Sequence, residues 1–124
     1  MAPYVDANHQ LVIEVYVRDL DRSISFYEGF GFKVERREEH FAQLSWEGHH
    51  FFLDEQSGLP QTTGFLQVNV RVLVPDVDFY WRRAIELGVK IISPVGDRTY
   101  GLRDFIISDP DGFGVRFATP LDKP

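Results

Sequence analysis

The chain has 124 residues, of which 44% are hydrophobic and 15% aromatic, with a net charge of −6 and a pI near 5.1. That is enough for one compact domain or two half-domains sharing a core, and the acidic balance repels phosphate backbones, so nucleic acid is not an expected partner. The absence of cysteine excludes a disulfide framework, a thiolate metal site and a cysteine nucleophile. No run approaches the roughly 20 apolar residues of a membrane span, and the start Met1-Ala2-Pro3-Tyr4-Val5-Asp6 shows no basic segment followed by an apolar one. The expectation is a cytoplasmic protein with no membrane association.

In chain order, Leu11 to Val17 is apolar and β-branched and predicts a strand. Asp19 follows as a helix N-cap, with Leu20, Ile24 and Tyr27 at helical spacing and Gly29 and Gly31 closing the helix. Phe32-Lys33-Val34 opens a second strand. Phe41 to Trp46 and His49 to Asp54 flank Glu47-Gly48, which predicts a hairpin with a two-residue turn. Residues 56–64 are polar with Gly and Pro and predict a linker.

The plan then repeats. Leu66 to Val74 predicts a strand, Asp76 caps a helix that places Val77, Trp81, Ala84 and Ile85 on one face, Gly88 ends it, and Val89 to Ile92 is a strand. Arg103 to Ser108 and Phe113 to Ala118 flank the strong turn Asp109-Pro110-Asp111-Gly112. A shift of 57 positions puts Val15 on Val72, Val17 on Val74, Asp19 on Asp76 and Gly31 on Gly88, while the second hairpin is shifted by 64, from Gly48 to Gly112. Two copies of one unit dictate a pseudo-symmetric pair. The expected class is α+β, with two strand-helix-strand-strand-strand modules at about 10–55 and 65–120 in a single domain spanning 1–124.

The ordered set Val17-Arg18-Asp19-Leu20-Asp21-Arg22-Ser23, Phe26-Tyr27, Gly31-Phe32 and Asp109-Pro110-Asp111-Gly112 resembles the vicinal oxygen chelate superfamily, which includes glyoxalase I, extradiol dioxygenases, and bleomycin and fosfomycin resistance proteins. The likeness runs from about Leu11 to Thr119. It implies two βαβββ modules whose curled mixed sheets form a cup. In the superfamily's enzymes a metal sits there, held by a His seven residues before each capping Asp and a Glu four residues after each turn Gly.

Here those positions are Val12, Asn69, Phe52 and Arg116. Valine and phenylalanine have no donor atom, arginine adds a positive charge, and asparagine ligates only weakly. No cofactor or metal is therefore expected. His49 and His50 are adjacent on a strand and face opposite sides.

Alternation along the strands puts Glu14, Tyr16, Phe41, Gln43, Ser45, His50, Phe52 and Asp54 on the cup side of the first module, with Asn69, Arg71 and Arg116 from the second. Ile13, Val15 and Val17, and Ala42, Leu44, Trp46, Phe51 and Leu53, fall on the helix side. Glu14, Tyr16, Phe41, Gln43, His50, Phe52, Asp54, Asn69, Arg71 and Arg116 are the candidate ligand-binding residues, since small-molecule sites combine aromatic walls with a few placed polar groups.

Structural roles stand beside these. Phe52 reads equally as a core ring, His50 as an ordinary strand histidine, and Trp81 as core. Glu14 reads as the partner of Arg71 or Arg116, with Arg116 filling the space of the ion. By resemblance the expected function is a metal-free protein that binds a small molecule in the manner of the bleomycin resistance proteins, sequestering a bleomycin-like cationic antibiotic as a homodimer. The alternative is a metal-independent lyase or isomerase using Glu14 as base. A binding protein is expected ahead of an enzyme.

Overall fold

The computed structural model describes residues 4–60 and 68–121. The chain divides into two compact units, Met1–Pro60 and Gln61–Pro124. The first holds α1 (Ala7–Gln10), β1 (Ile13–Val17), α2 (Leu20–Phe30), β2 (Lys33–Arg37), β3 (Phe41–Trp46) and β4 (His49–Glu55). The second holds β5 (Asn69–Leu73), α3 (Val77–Leu87), β6 (Lys90–Asp97), β7 (Leu102–Ser108) and β8 (Gly114–Pro120). Each unit has one four-stranded sheet, in the order β1-β4-β3-β2 and β5-β8-β7-β6, with β1 and β5 parallel to their neighbours and the rest antiparallel. The sheets are mixed and open, as an α+β fold of two modules requires. Among the described residues no helix is long and apolar enough to cross a membrane.

Each helix begins and ends as its sequence dictates. Asp19 and Asp76 are extended residues whose carboxylates accept the backbone N–H of Arg22 and of Asp78. Gly31 and Gly88 close the helices in the left-handed conformation. Gly29 does not terminate α2; it lies inside it, one residue before Phe30.

The last strand of each sheet ties down the start of its helix. In the first unit Glu55 Oε2 accepts the N–H of Leu20 at 2.8 Å. In the second, Thr119 Oγ1 accepts the N–H of Val77 at 2.9 Å and donates to the Val74 carbonyl at 2.7 Å. One structural duty is thus met by a carboxylate in one half and a hydroxyl in the other.

Both cores lie between sheet and helix. Val15, Val17, Ala42, Leu44, Phe51 and Leu53 are buried beneath α2, where Tyr27 meets Phe51 and Phe32 edge-on at 5.0 and 5.2 Å. Ile13 does not join them: at the first position of β1 it is 39% exposed. In the second unit Val72, Phe105, Ile107, Val115 and Phe117 are buried. Tyr80 stacks on Phe117 at 5.0 Å and Trp81 packs edge-on against Phe105 at 5.3 Å. The half-buried Tyr80 rather than Ile85 joins the buried Val77 and Ala84 of α3, and Ile85 is left 56% exposed. The reason is angular: about 100° separates successive helix residues, so Ile85 falls on the flank of a stripe centred on Val77 and Ala84.

The strand boundaries differ from those expected. β1 begins after Val12, β5 spans only Asn69–Leu73, and Leu66 lies outside the described residues, as does part of the 56–64 linker. β6 runs on to Asp97 through two register shifts and accommodates Pro94, as an edge strand can.

Candidate functional site

The first hairpin turns at Glu47 (φ 47°) and Gly48 (φ 86°), and Trp46 pairs with His49. Two consecutive left-handed residues make the tight turn whose twist matches the strands. It sets the register for the whole sheet. Glu14 lies beside Phe52, which faces Gln43; Tyr16 lies beside Asp54, which faces Phe41; His50 faces Ser45. The seven candidates of the first unit therefore share one sheet face, opposite the helix.

That face is aromatic with polar points. Phe41 and Phe52 meet edge-on at 5.3 Å, and the Arg36 guanidinium sits 5.3 Å from the Phe41 ring. His50 Nδ1 is hydrogen-bonded to the Gln43 amide at 3.0 Å, and its ring is stacked at 4.4 Å by His9 from α1, a short helix that carried no clear signal in the sequence. Ser45 donates to Glu35 at 2.7 Å, and Asp54 accepts from Gln56 at 3.0 Å. Tyr16 is 54% exposed, beside an open groove of about 390 Å³ lined also by Gln56, Gly58, Leu59 and Pro60. Glu14 is exposed and, among the described residues, makes no hydrogen bond or ion pair.

The second hairpin differs. Ser108 pairs with Gly114, and the Asp109 carboxylate accepts the backbone N–H groups of Asp111 and Phe113 inside the longer turn. The turn is longer than its counterpart, so β7 is displaced relative to a uniform shift. Ile106 faces Arg116 as Gln43 faces Phe52, and Asp104 consequently takes the place that Phe41 holds in the first sheet. The Phe41–Phe52 ring pair is replaced by an ion pair.

Asp104 is 1% exposed, yet fully partnered. Arg98 Nε donates to its Oδ1 at 2.8 Å; Tyr100 Oη at 2.7 Å and Arg116 Nη1 at 3.3 Å donate to its Oδ2. Arg98 also donates to the Ser93 hydroxyl and to the Pro94 carbonyl. Donating to this carboxylate raises the Tyr100 phenol above its ordinary value.

Arg98 and Tyr100 lie in the β6–β7 connection, where the second half carries most of its extra residues. Sequence reasoning placed neither them nor Asp104 in the site. The signal lay in the insertion itself, which brings two buried-charge partners where the first half has only a short turn. Within its own sheet the Arg116 guanidinium, read in the sequence as a partner of Glu14, is held by Asp104 and Tyr100, because a carboxylate this deeply buried requires cations at contact distance. Asn69 and Arg71 lie on the same face of β5, exposed, beside Gly114 and Arg116.

These residues do not fit a divalent ion. In the first unit Val12 and Phe52 offer no donor, and in the second Asn69 brings only a neutral amide and Arg116 a cation held by its own hydrogen bonds. Among the described residues no three His, Asp or Glu side chains gather as a metal set would.

One further ionisable pair lies at the rim of the first sheet. His40 Nδ1 donates to Glu55 Oε1 at 2.7 Å. That bond raises the imidazole above its usual 6.5, while the Leu20 N–H and His40 together lower the Glu55 carboxyl below 4.5. Stability contributed by the pair is complete between about pH 4.5 and 6.5. It is lost as pH falls through the lowered Glu55 value, and again as pH rises through the raised His40 value. Urea-unfolding midpoints of wild type should decline on the alkaline side of that window, and His40→Ala should remove that decline; an identical decline in the variant would refute the assignment.

Residues 9–117 match the family described as the Glyoxalase/Bleomycin resistance protein/Dioxygenase superfamily. Among solved structures, a glyoxalase/bleomycin resistance protein/dioxygenase from Alicyclobacillus acidocaldarius superposes with a TM-score of 0.75 at 17% identity, over 95% of this chain and 96% of that one. TioX from Micromonospora sp. ML1 gives 0.73 at 27% identity, over 90% and 98%. A bleomycin-binding protein complexed with bleomycin gives 0.71 at 19% identity, over 89% and 97%. No curated protein sequence matches significantly.

Proposed function

Because the chain belongs to the Glyoxalase/Bleomycin resistance protein/Dioxygenase superfamily, we propose that it is a metal-free, small-molecule-binding member of it, a cytoplasmic homodimer that sequesters a cationic antibiotic of the bleomycin kind. One observation carries the metal-free part: where the resemblance expects a ligand carboxylate four residues after the turn Gly112, this chain has Arg116, held against the buried Asp104. A cation brought to that side chain meets a fixed positive charge.

The ligand class is supported by three features. A structural neighbour is a bleomycin-binding protein seen with bleomycin. The net charge of −6 attracts cations at long range. The first sheet's face opposite α2 offers the half-exposed Phe41 and Phe52 rings, the exposed Tyr16 and the Glu14 carboxylate, unpaired among the described residues, to a planar cation. No residue orients the Glu14 carboxylate as a base is oriented, so the enzymatic alternative gains nothing from the geometry.

The test is calorimetry with metal-loaded and metal-free bleomycin, paired with elemental analysis of the purified protein. Binding at or below tens of micromolar, weakened by Tyr16→Ala and Glu14→Gln, is expected. A flat titration at that concentration removes the drug from the reading, and a stoichiometric transition ion removes the metal-free premise. Drug at a hundredfold excess over Kd should stabilise the fold by about 2.7 kcal/mol.

A further inference from the structure

We propose that the face of the second sheet opposite α3 binds an oxyanion, a carboxylate or phosphate group of a small molecule, between Arg71 and Arg116. The inference does not rest on the antibiotic reading, which draws on the first sheet.

The two arginines are direct neighbours on the parallel strands β5 and β8, and strands lie about 4.8 Å apart. Like charges set side by side on a sheet destabilise it unless a counter-charge relieves them. Among the described residues the counter-charge is short: Asp104 is the carboxylate bonded to Arg116, and it is shared with Arg98 and Tyr100. Two guanidinium groups on one carboxylate leave a positive charge over before Arg71 is counted. Arg71 itself is exposed and, among the described residues, makes no hydrogen bond or ion pair.

Arg116 adds a second sign. Its Nη1 is anchored, but its Nε is buried and has no hydrogen-bond partner. An unsatisfied donor on a charged group is costly to leave so, and a guanidinium fixed in place is pre-organised for the two-pronged contact that carboxylates and phosphates accept. On β8 the residues flanking Arg116 on this face, Gly114 and Ala118, are small, and Gly114 is the neighbour of the exposed Asn69, whose amide adds a further donor. The arrangement repels cations and recognises anions, although the whole chain is acidic. The selectivity is therefore local and geometric, not a product of net charge.

The probes are methyl phosphate and benzoate, titrated into the isotope-labelled full chain and followed through the Arg71 and Arg116 Nε–H and backbone amide resonances, with sodium chloride at matched ionic strength as reference. At least one probe should give saturable shifts that chloride does not, and Arg71→Gln should weaken that probe about tenfold or more. Arg71→Lys, which keeps the charge and loses the fork, should fall between. Saturation by methyl phosphate alone identifies a phosphate monoester as the ligand group, by benzoate alone a carboxylate, and by both a general oxyanion site. Absence of saturation with either probe overturns the proposal, as does an affinity that Arg71→Gln leaves unchanged. A protein that ignores bleomycin yet binds benzoate loses the antibiotic reading and keeps this one.

Discussion

Asp104→Ala is expected to destabilise the second unit by about 3–5 kcal/mol, the usual consequence of removing one partner from a buried ion pair, and to lower the melting temperature by about 10 °C or more. The cost does not come chiefly from the lost attraction. It comes from leaving the Arg98 and Arg116 guanidinium groups, one bonded to each oxygen of a carboxylate that is 1% exposed, without compensation. Adding Arg98→Met and Arg116→Met to Asp104→Ala should therefore recover a large part of the loss, since an apolar replacement of a whole buried network is often close to neutral. Thermal unfolding of the single and triple variants measures both. A triple variant less stable than Asp104→Ala would show that the arginines contribute through packing of their stems, and uncompensated charge would no longer explain the loss.

Tyr27→Ala should cost the first unit a similar amount, about 3–5 kcal/mol, for a different reason. Tyr27 is fully buried on the inner face of α2, where its ring meets Phe26, Phe32 and Phe51 within about 5 Å. Truncation removes the apolar contacts and leaves a cavity that neighbouring rings cannot close. Tyr27→Phe separates the ring from the hydroxyl, and should retain most of the stability. Denaturant unfolding followed by tryptophan fluorescence reports on this unit through Trp46, which packs on Phe32 at 5.1 Å. A loss below about 1 kcal/mol would mean that the sheet collapses onto the gap, as tolerant cores do.

The repeat was legible because it is written in short-range signals. A capping Asp, a left-handed Gly and a Gly-containing hairpin turn each act over a few residues, and their order in two copies dictated helices and hairpins together. Strand alternation then assigned Glu14, Tyr16, Phe41, Gln43, His50, Phe52 and Asp54 to one face, since a two-residue turn admits one register.

What failed depended on longer range. A uniform shift between the hairpins missed the extra length of the turn at Asp109–Phe113, so the equivalence of Asp104 with Phe41 went unseen. The partner of Arg116 was sought among residues already suspected, whereas it came from the neighbouring strand and a connection that reads in sequence as a polar loop. Ile85 fits a helical stripe by spacing alone, and only the position of Tyr80 against Phe117 shows where the stripe is centred.

One rung of the repeated module is built in two chemistries: rings in Phe41 and Phe52, ions in Asp104 and Arg116. Their thermal coefficients have the same sign. Apolar association weakens in the cold, and the dehydration penalty of paired charges is larger there and shrinks with heat. Both halves therefore loosen together on cooling, each through its own chemistry, and neither half serves as a spare for the other.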